Sequence, residues 1–238
     1  MEIFLISVIT ITASFVGTVT GFGIATILLP VLLLFYPLPA SLLISGIVHI
    51  FNDIWHISLF KEGIRWKLIF EFGIPAFLAS IIGASLVFSI PENATEVILG
   101  IFFMGYIVLL LLHSNFKIKH KAWTAVLGGA ISGFIIGIFG VGGEIRAAFL
   151  SAFNLPKKVY IATIGAIALV GDIARVGTYF FGGVRISESL LYGMIIFIFM
   201  SYLGARIARR VMDKIPQTYF RNIILIFLFM ISIKLLLF

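Results

Sequence analysis

GIFGVGGEIRAAF, residues 137–149, sets four glycines, a glutamate and an arginine into a chain that is apolar on either side of it. Glycine is about 1 kcal/mol poorer than alanine in a helix interior, and charges at membrane depth are costlier still. A stretch that breaks its own helix and leaves Glu144 and Arg146 beside the break is either a packing seam or a working part. A second such stretch, Gly21-Phe22-Gly23, lies near the start of the chain.

The surroundings set the class. The 238 residues are 61% hydrophobic and 11% charged, with a mean hydropathy of +1.20. Soluble domains carry about 25% charged residues, so an integral membrane protein is expected. The absence of cysteine excludes disulfides, thiolate metal sites and a cysteine nucleophile. The net charge of +7 sits in short basic loops between apolar runs, HSNFKIKHK (113–121) among them. That is the pattern of cytoplasmic loops and not of a nucleic-acid surface. No cleavable leader is read at the N-terminus.

A helix crosses the hydrocarbon with about 20 apolar residues. Candidate segments are 3–36 (broken at Gly21–Gly23), 40–60, 68–89, 94–113, 122–153 (broken at Gly137–Gly143), 159–182, 187–212 and 218–238. All are expected to be helical. Open sheets leave backbone groups unpaired in lipid, and these runs are too long for barrel strands.

The two halves echo each other. TGFGIATILLPVLLLFYPLP (20–39) is answered by FGVGGEIRAAFLSAFNLP (139–156). FNDIWHISLFKEGIRW (51–66) is answered by LVGDIARVGTYFFGGVRI (169–186), which sets Asp53 against Asp172 and Gly63-Ile64-Arg65 against Gly183-Val184-Arg185. SIIGASLVFSIP (80–91) is answered by SYLGARIARRVMDKIP (201–216). The sequence reads as an internal duplication, with a first repeat at 1–113 and a second at 114–238.

The basic loops orient the repeats. With eight simple crossings, Lys61, Arg65, Lys67, Lys117, Lys119, Lys121 and Arg185 fall on one face. Lys157, Lys158, Arg206, Arg209, Arg210, Lys214 and Arg221 fall on the other, an even split. If each broken segment instead turns at its glycines and leaves by the side it entered, only Arg185 stands apart from the rest. The predicted architecture is therefore an all-α polytopic membrane protein built from two inverted repeats. Each repeat is a re-entrant broken-helix hairpin plus three transmembrane helices, with the Lys/Arg-rich loops cytoplasmic.

This architecture gives the glycines a purpose. Non-helical backbone is tolerated at depth only where it is buried in protein or lines a cavity. The two hairpin tips are expected to meet near the midplane, where helix N-termini offer unpaired N–H groups and partial positive charge to an anion. Inverted repeats with broken helices at the midplane are how secondary transporters are built. Glycines that only let helices cross closely are the alternative.

These residues resemble a family. GTVTGFGIATILLP (17–30) and SGFIIGIFGVGGEIRAAF (132–149), one opening each half, look like the paired Gly-rich stretches of the TauE/SafE (sulfite-exporter-like) permeases. The resemblance covers nearly the whole chain. It implies a transporter of a small sulfur-containing anion, sulfite or an organosulfonate, in the cell membrane. The second stretch departs from the pattern, with Phe149 where a proline is usual and Glu144-Ile145-Arg146 after the glycines.

The substrate site is expected between the tips, at Gly21, Phe22, Gly23, Gly140, Gly142 and Gly143, with Arg175 as the nearby full charge. Coupling or gating falls to Asp53, Asp172, His49, Asn52, His56, Glu144 and Arg146, and the coupling species is a proton or a cation. His49, Asp53 and His56 share one helix face, a spacing that also suits a metal. A divalent-metal permease is thus the alternative function. The repeat mates Ala168, Asp172 and Arg175 argue against it, because an arginine repels a cation and suits an oxyanion. Asp172 and Arg175 can instead form a structural ion pair, Glu144 and Arg146 can pair at the hairpin start, and Arg146 can reach toward the surface. Glu71 and Lys234 receive no role. No convergent acid, base and nucleophile is found, so neither an enzyme nor a cofactor is expected. The oligomeric state, a homodimer included, stays open.

Overall fold

A computed structural model describes residues 2–60, 63–112 and 122–212, with scattered positions beyond. The linker 113–121 and most of the last expected segment lie outside the described residues. Every regular element among the described residues is helical: α1 Glu2–Thr20, α2 Ala25–Leu32, α3 Leu38–Leu59, α4 Trp66–Ser89, α5 Glu92–Leu112, α6 Ala122–Phe139, α7 Gly143–Ser151, α8 Lys157–Phe181 and α9 Glu188–Val211. Five of them, α1, α3, α4, α8 and α9, are long and apolar enough to cross a membrane.

Both breaks expected from the sequence are present, and glycine conformation makes them. The Gly21 N–H closes α1 on the Gly17 carbonyl at 2.8 Å, and the Gly140 N–H closes α6 on the Ile136 carbonyl at 2.9 Å. Both glycines then turn left-handed, with φ of 77° and 70°, a region that side chains with a Cβ avoid. The second break is shorter than predicted. Gly137 remains inside α6 and belongs to a packing seam instead. A Cβ at Gly129, Gly133 or Gly137 would overlap the carbonyl oxygen of Phe72, Ala76 or Ser80, so three glycines one turn apart seat α6 on the backbone of α4. The chain thus uses its glycines in both expected ways.

Helix packing is paired. α4 lies along α6 as α1 lies along α9, while α3 and α8 pack on each other between them. Gly83 and Gly204, set against each other in the sequence comparison of the two halves, both sit at helix seams. Gly83 lies on the Phe134 carbonyl, and a Cβ at Gly204 would come within 2.8 Å of Ser14.

Contacts at the helix ends sort the loops. The Arg65 N–H donates to the Thr163 hydroxyl at 3.3 Å, and Gly63 faces Val159. The Arg209 guanidinium lies 5.9 Å over the Phe60 ring, and the Lys157 ammonium donates to the Met212 carbonyl. The end of α3, the start of α8 and the end of α9 therefore occupy one end of the bundle. At the other end, the Tyr36 hydroxyl, beyond α2, donates to the Glu2 carboxylate at the start of α1 (3.0 Å). Back at the first end, Gly128, early in α6, packs on Phe149, late in α7, and on Phe72 near the start of α4.

Candidate functional site

The two breaks touch. A Cβ on Gly143, the first residue of α7, would overlap the carbonyl oxygen of Phe22, so only glycine allows the two interruptions to meet backbone to backbone. Gly23, with φ of 90°, is equally confined: a Cβ there would lie 2.8 Å from His49 Nε2. A Cβ at Gly140 would come within 2.9 Å of Leu29 and 3.4 Å of Arg175 Nη1. Gly21 packs on the Tyr160 ring, and the space beside Gly142 is filled by the Ser132–Ile136 turn of α6. Each break thus carries one ionisable side chain of a spanning helix against its glycine, His49 from α3 at the first and Arg175 from α8 at the second.

α3 and α8 also bring Asp53 and Asp172 together around His49. Asp172 Oδ2 stands 3.1 Å from His49 Nδ1, and Asp53 Oδ1 stands 3.8 Å from His49 Nε2. Arg175 Nε donates to Asp172 Oδ1, the ion pair foreseen from their i, i+3 spacing. That bond uses only one edge of the guanidinium. Nη1 and Nη2 have no hydrogen-bond partner although the side chain is 0% exposed, and a Cβ at Gly46 would lie 3.4 Å from Nη1. A buried, unpaired donor pair costs free energy unless something accepts from it.

Glu144 and Arg146 differ from expectation. They form no ion pair with each other, because positions two apart on a helix point to different faces. Arg146 is buried and does not reach the surface. It lies near enough to act electrostatically on His49, Asp53 and Asp172, with its Nε unpartnered. The sequence thus identified one buried guanidinium at the centre, and the structure places two there. Both Glu144 carboxylate oxygens are buried without a hydrogen bond. Glu71, which the sequence left without a role, lies 3.7 Å from Lys67 one turn before it.

His56 faces away from the centre. Its Nε2 lies 2.8 Å from the Thr18 hydroxyl and 3.3 Å from Asn52 Nδ2, and its Nδ1 stays 4.0 Å from Asp53. The Ser14 hydroxyl is 2.6 Å from both Asn52 Oδ1 and the Ser201 carbonyl, and Trp55 Nε1 donates to Ser201 Oγ. These α1 and α9 partners were missed in the sequence. The signal was available: Thr10, Ser14 and Thr18 recur every fourth residue and make one polar stripe on α1. Among the described residues, the carboxylate and imidazole atoms that could share a cation are those of His49, Asp53 and Asp172, all within 4.8 Å of one another. The sequence-based metal set placed His56 where Asp172 stands. A cation there would sit beside the Arg175 guanidinium that Asp172 already binds.

A polar, charge-bearing centre sealed inside spanning helices, built where two helices break, defines a multi-pass membrane transport protein. The chain belongs to the family described as Sulfite exporter TauE/SafE, whose profile matches residues 6–235. No curated protein and no solved structure matches it.

Proposed function

We propose that the chain is a secondary transporter moving a small anion, sulfite or an organosulfonate, bound between the two breaks. The observation that carries this reading is the unpartnered, buried Nη pair of Arg175, with Nη1 beside Gly140 and the Phe22–Gly143 contact alongside. The first N–H groups of α2 and α7 have no intrahelical partner, and two helix N-termini with a guanidinium fork suit a planar or tetrahedral oxyanion. Arg146 adds a second positive charge, which helps to offset the anion's lost hydration. Asp53 and Asp172 take the coupling role, with His49 between them.

The inverted-repeat reading, 1–113 against 114–238, is supported by the mirrored packing of α1 on α9 and α4 on α6. The Tyr36–Glu2 and Phe149–Gly128 contacts support segments that leave by the side they entered. The shared end of Phe60, Arg65, Lys157 and Arg209 supports one basic face, which the charge rule makes cytoplasmic.

A divalent-metal permease is the second reading, favoured by the close His49, Asp53 and Asp172 ligand atoms. Calorimetric titration of the purified protein with sulfite, sulfoacetate, sulfate and divalent cations separates the two. Heat from a sulfur anion, absent with cations, is the expected result. Saturable cation binding with no anion response would reverse it.

A further inference from the structure

Away from the breaks, at the end of the bundle shared by α3 and α9, a pocket of about 450 Å³ is lined by Leu59, Tyr202, Arg206, Arg209 and Arg210. Three of its five lining residues are arginines. Among the described residues, none forms an ion pair with a carboxylate. Two of the guanidinium groups, those of Arg206 and Arg209, lie over rings instead. Arg206 hydrogen-bonds the Tyr202 hydroxyl at 2.7 Å and lies 5.7 Å over that ring, while Arg209 lies 5.9 Å over Phe60.

Cation–π seating fixes the plane of a guanidinium and leaves its edge N–H groups to point elsewhere. Basic residues that only orient a membrane protein need to lie near a helix end. They need no aromatic seat and no shared concavity. A concave wall that carries three guanidinium groups, two of them seated on rings, is instead the chemistry that grips an oxyanion bidentately.

We propose that this pocket is a second oxyanion-binding site, taking a sulfate-like or phosphate-like group. Its volume admits a free anion with its water or the phosphate end of an anionic phospholipid. The pocket stands on its own residues and does not depend on the central site. It does adjoin that site's polar file: Tyr202 meets Trp55 edge-on at 5.2 Å, and Trp55 bonds Ser201, which leads through Ser14 and Asn52 to His56. An anion held here is positioned at one mouth of the bundle.

Trp55 supplies the test. The chain has three tryptophans, so the Trp66→Phe/Trp123→Phe variant leaves Trp55 as the reporter beside the pocket. Its quenching by iodide and by neutral acrylamide is measured in lipid-free maltoside micelles, with sulfate replacing chloride at constant ionic strength. Sulfate should lower iodide quenching at least about threefold, since a cleft of one charge sign concentrates its counter-ions, and leave acrylamide quenching unchanged. Phosphatidylglycerol added to the micelles, against phosphatidylcholine, tells whether a lipid headgroup gives the same protection.

Protection by either oxyanion source that is lost in Arg206→Gln/Arg209→Gln, and partly kept in the charge-preserving Arg206→Lys/Arg209→Lys, supports the site. Protection should persist in Asp172→Asn/Arg175→Ala, which separates this pocket from the central one. Equal iodide quenching in parent and Gln variant, protection by neither source, or protection that survives the Gln variant would overturn it.

Discussion

Arg175→Ala is the most informative single change, because the structure gives the side chain two duties that can be pulled apart. Nε holds Asp172, while Nη1 and Nη2 are buried without a partner, Nη1 beside Gly140 of the second break. Removing the side chain strands a fully buried carboxylate, which costs about 3–5 kcal/mol of stability. The same change removes the fork offered to the anion. Losing one partner of a desolvated charge pair costs about 2 kcal/mol or more, or roughly a thirtyfold rise in Kd. Arg175→Lys should recover only part of that, since a point charge replaces a bidentate donor.

The double variant Asp172→Asn/Arg175→Ala separates the duties, because an amide needs no counter-charge. Thermal unfolding of the purified protein should show most of the lost stability restored. Calorimetric titration with the sulfur anion that the parent binds should show affinity still about thirtyfold down. If the double variant binds the anion as tightly as the parent, Arg175 serves only Asp172 and the site lies elsewhere.

Further expectations follow from the same contacts. Gly143→Ala forces the two breaks apart at Phe22 and should cost about 1–3 kcal/mol in unfolding measurements, as overpacking does, with anion binding lost. Gly177→Ala, in α8 with open space around it, should leave binding unchanged and stabilise the helix by about 0.5–1 kcal/mol. Asp53→Asn and Asp172→Asn should each abolish transport driven by a pH gradient in proteoliposomes while anion binding stays measurable; pH-driven transport retained in both would make the carboxylates structural. The parent has no cysteine, so single cysteines at Arg65 and Arg209 can be labelled cleanly. Both should react from one face and a cysteine at Arg185 from the other; Arg65 and Arg209 on opposite faces would restore eight simple crossings.

The helices and breaks were legible because membrane composition leaves few signals and each is strong. Apolar runs of about 20 residues gave the spans, and Gly21-Phe22-Gly23 and Gly140–Gly143 marked the interruptions. Gly137 was misplaced because a glycine that lets helices touch and one that ends a helix look alike in sequence. Only the Ser80 carbonyl beside it tells them apart. Asp53 and Asp172 stood out because similar stretches of the two halves carry them, and Arg175 because it lies mid-segment in an apolar run. The depth of Arg146 was hidden, since snorkelling and burial are equally open to an arginine one turn from a break. His49 against Gly23 and Thr18 against His56 are contacts between helices, and helical spacing within one segment carries no information about them.

The measurement that tests the central claim most directly is anomalous diffraction from crystals soaked in selenite, a sulfite analogue whose selenium reports its own position. The account predicts a peak between the two breaks, within hydrogen-bonding reach of Arg175 Nη1 and Nη2 and beside Gly140, and its loss in Asp172→Asn/Arg175→Ala. Selenium bound only at the Arg206–Arg210 pocket, or a peak at the breaks that survives the double variant unchanged, would contradict it.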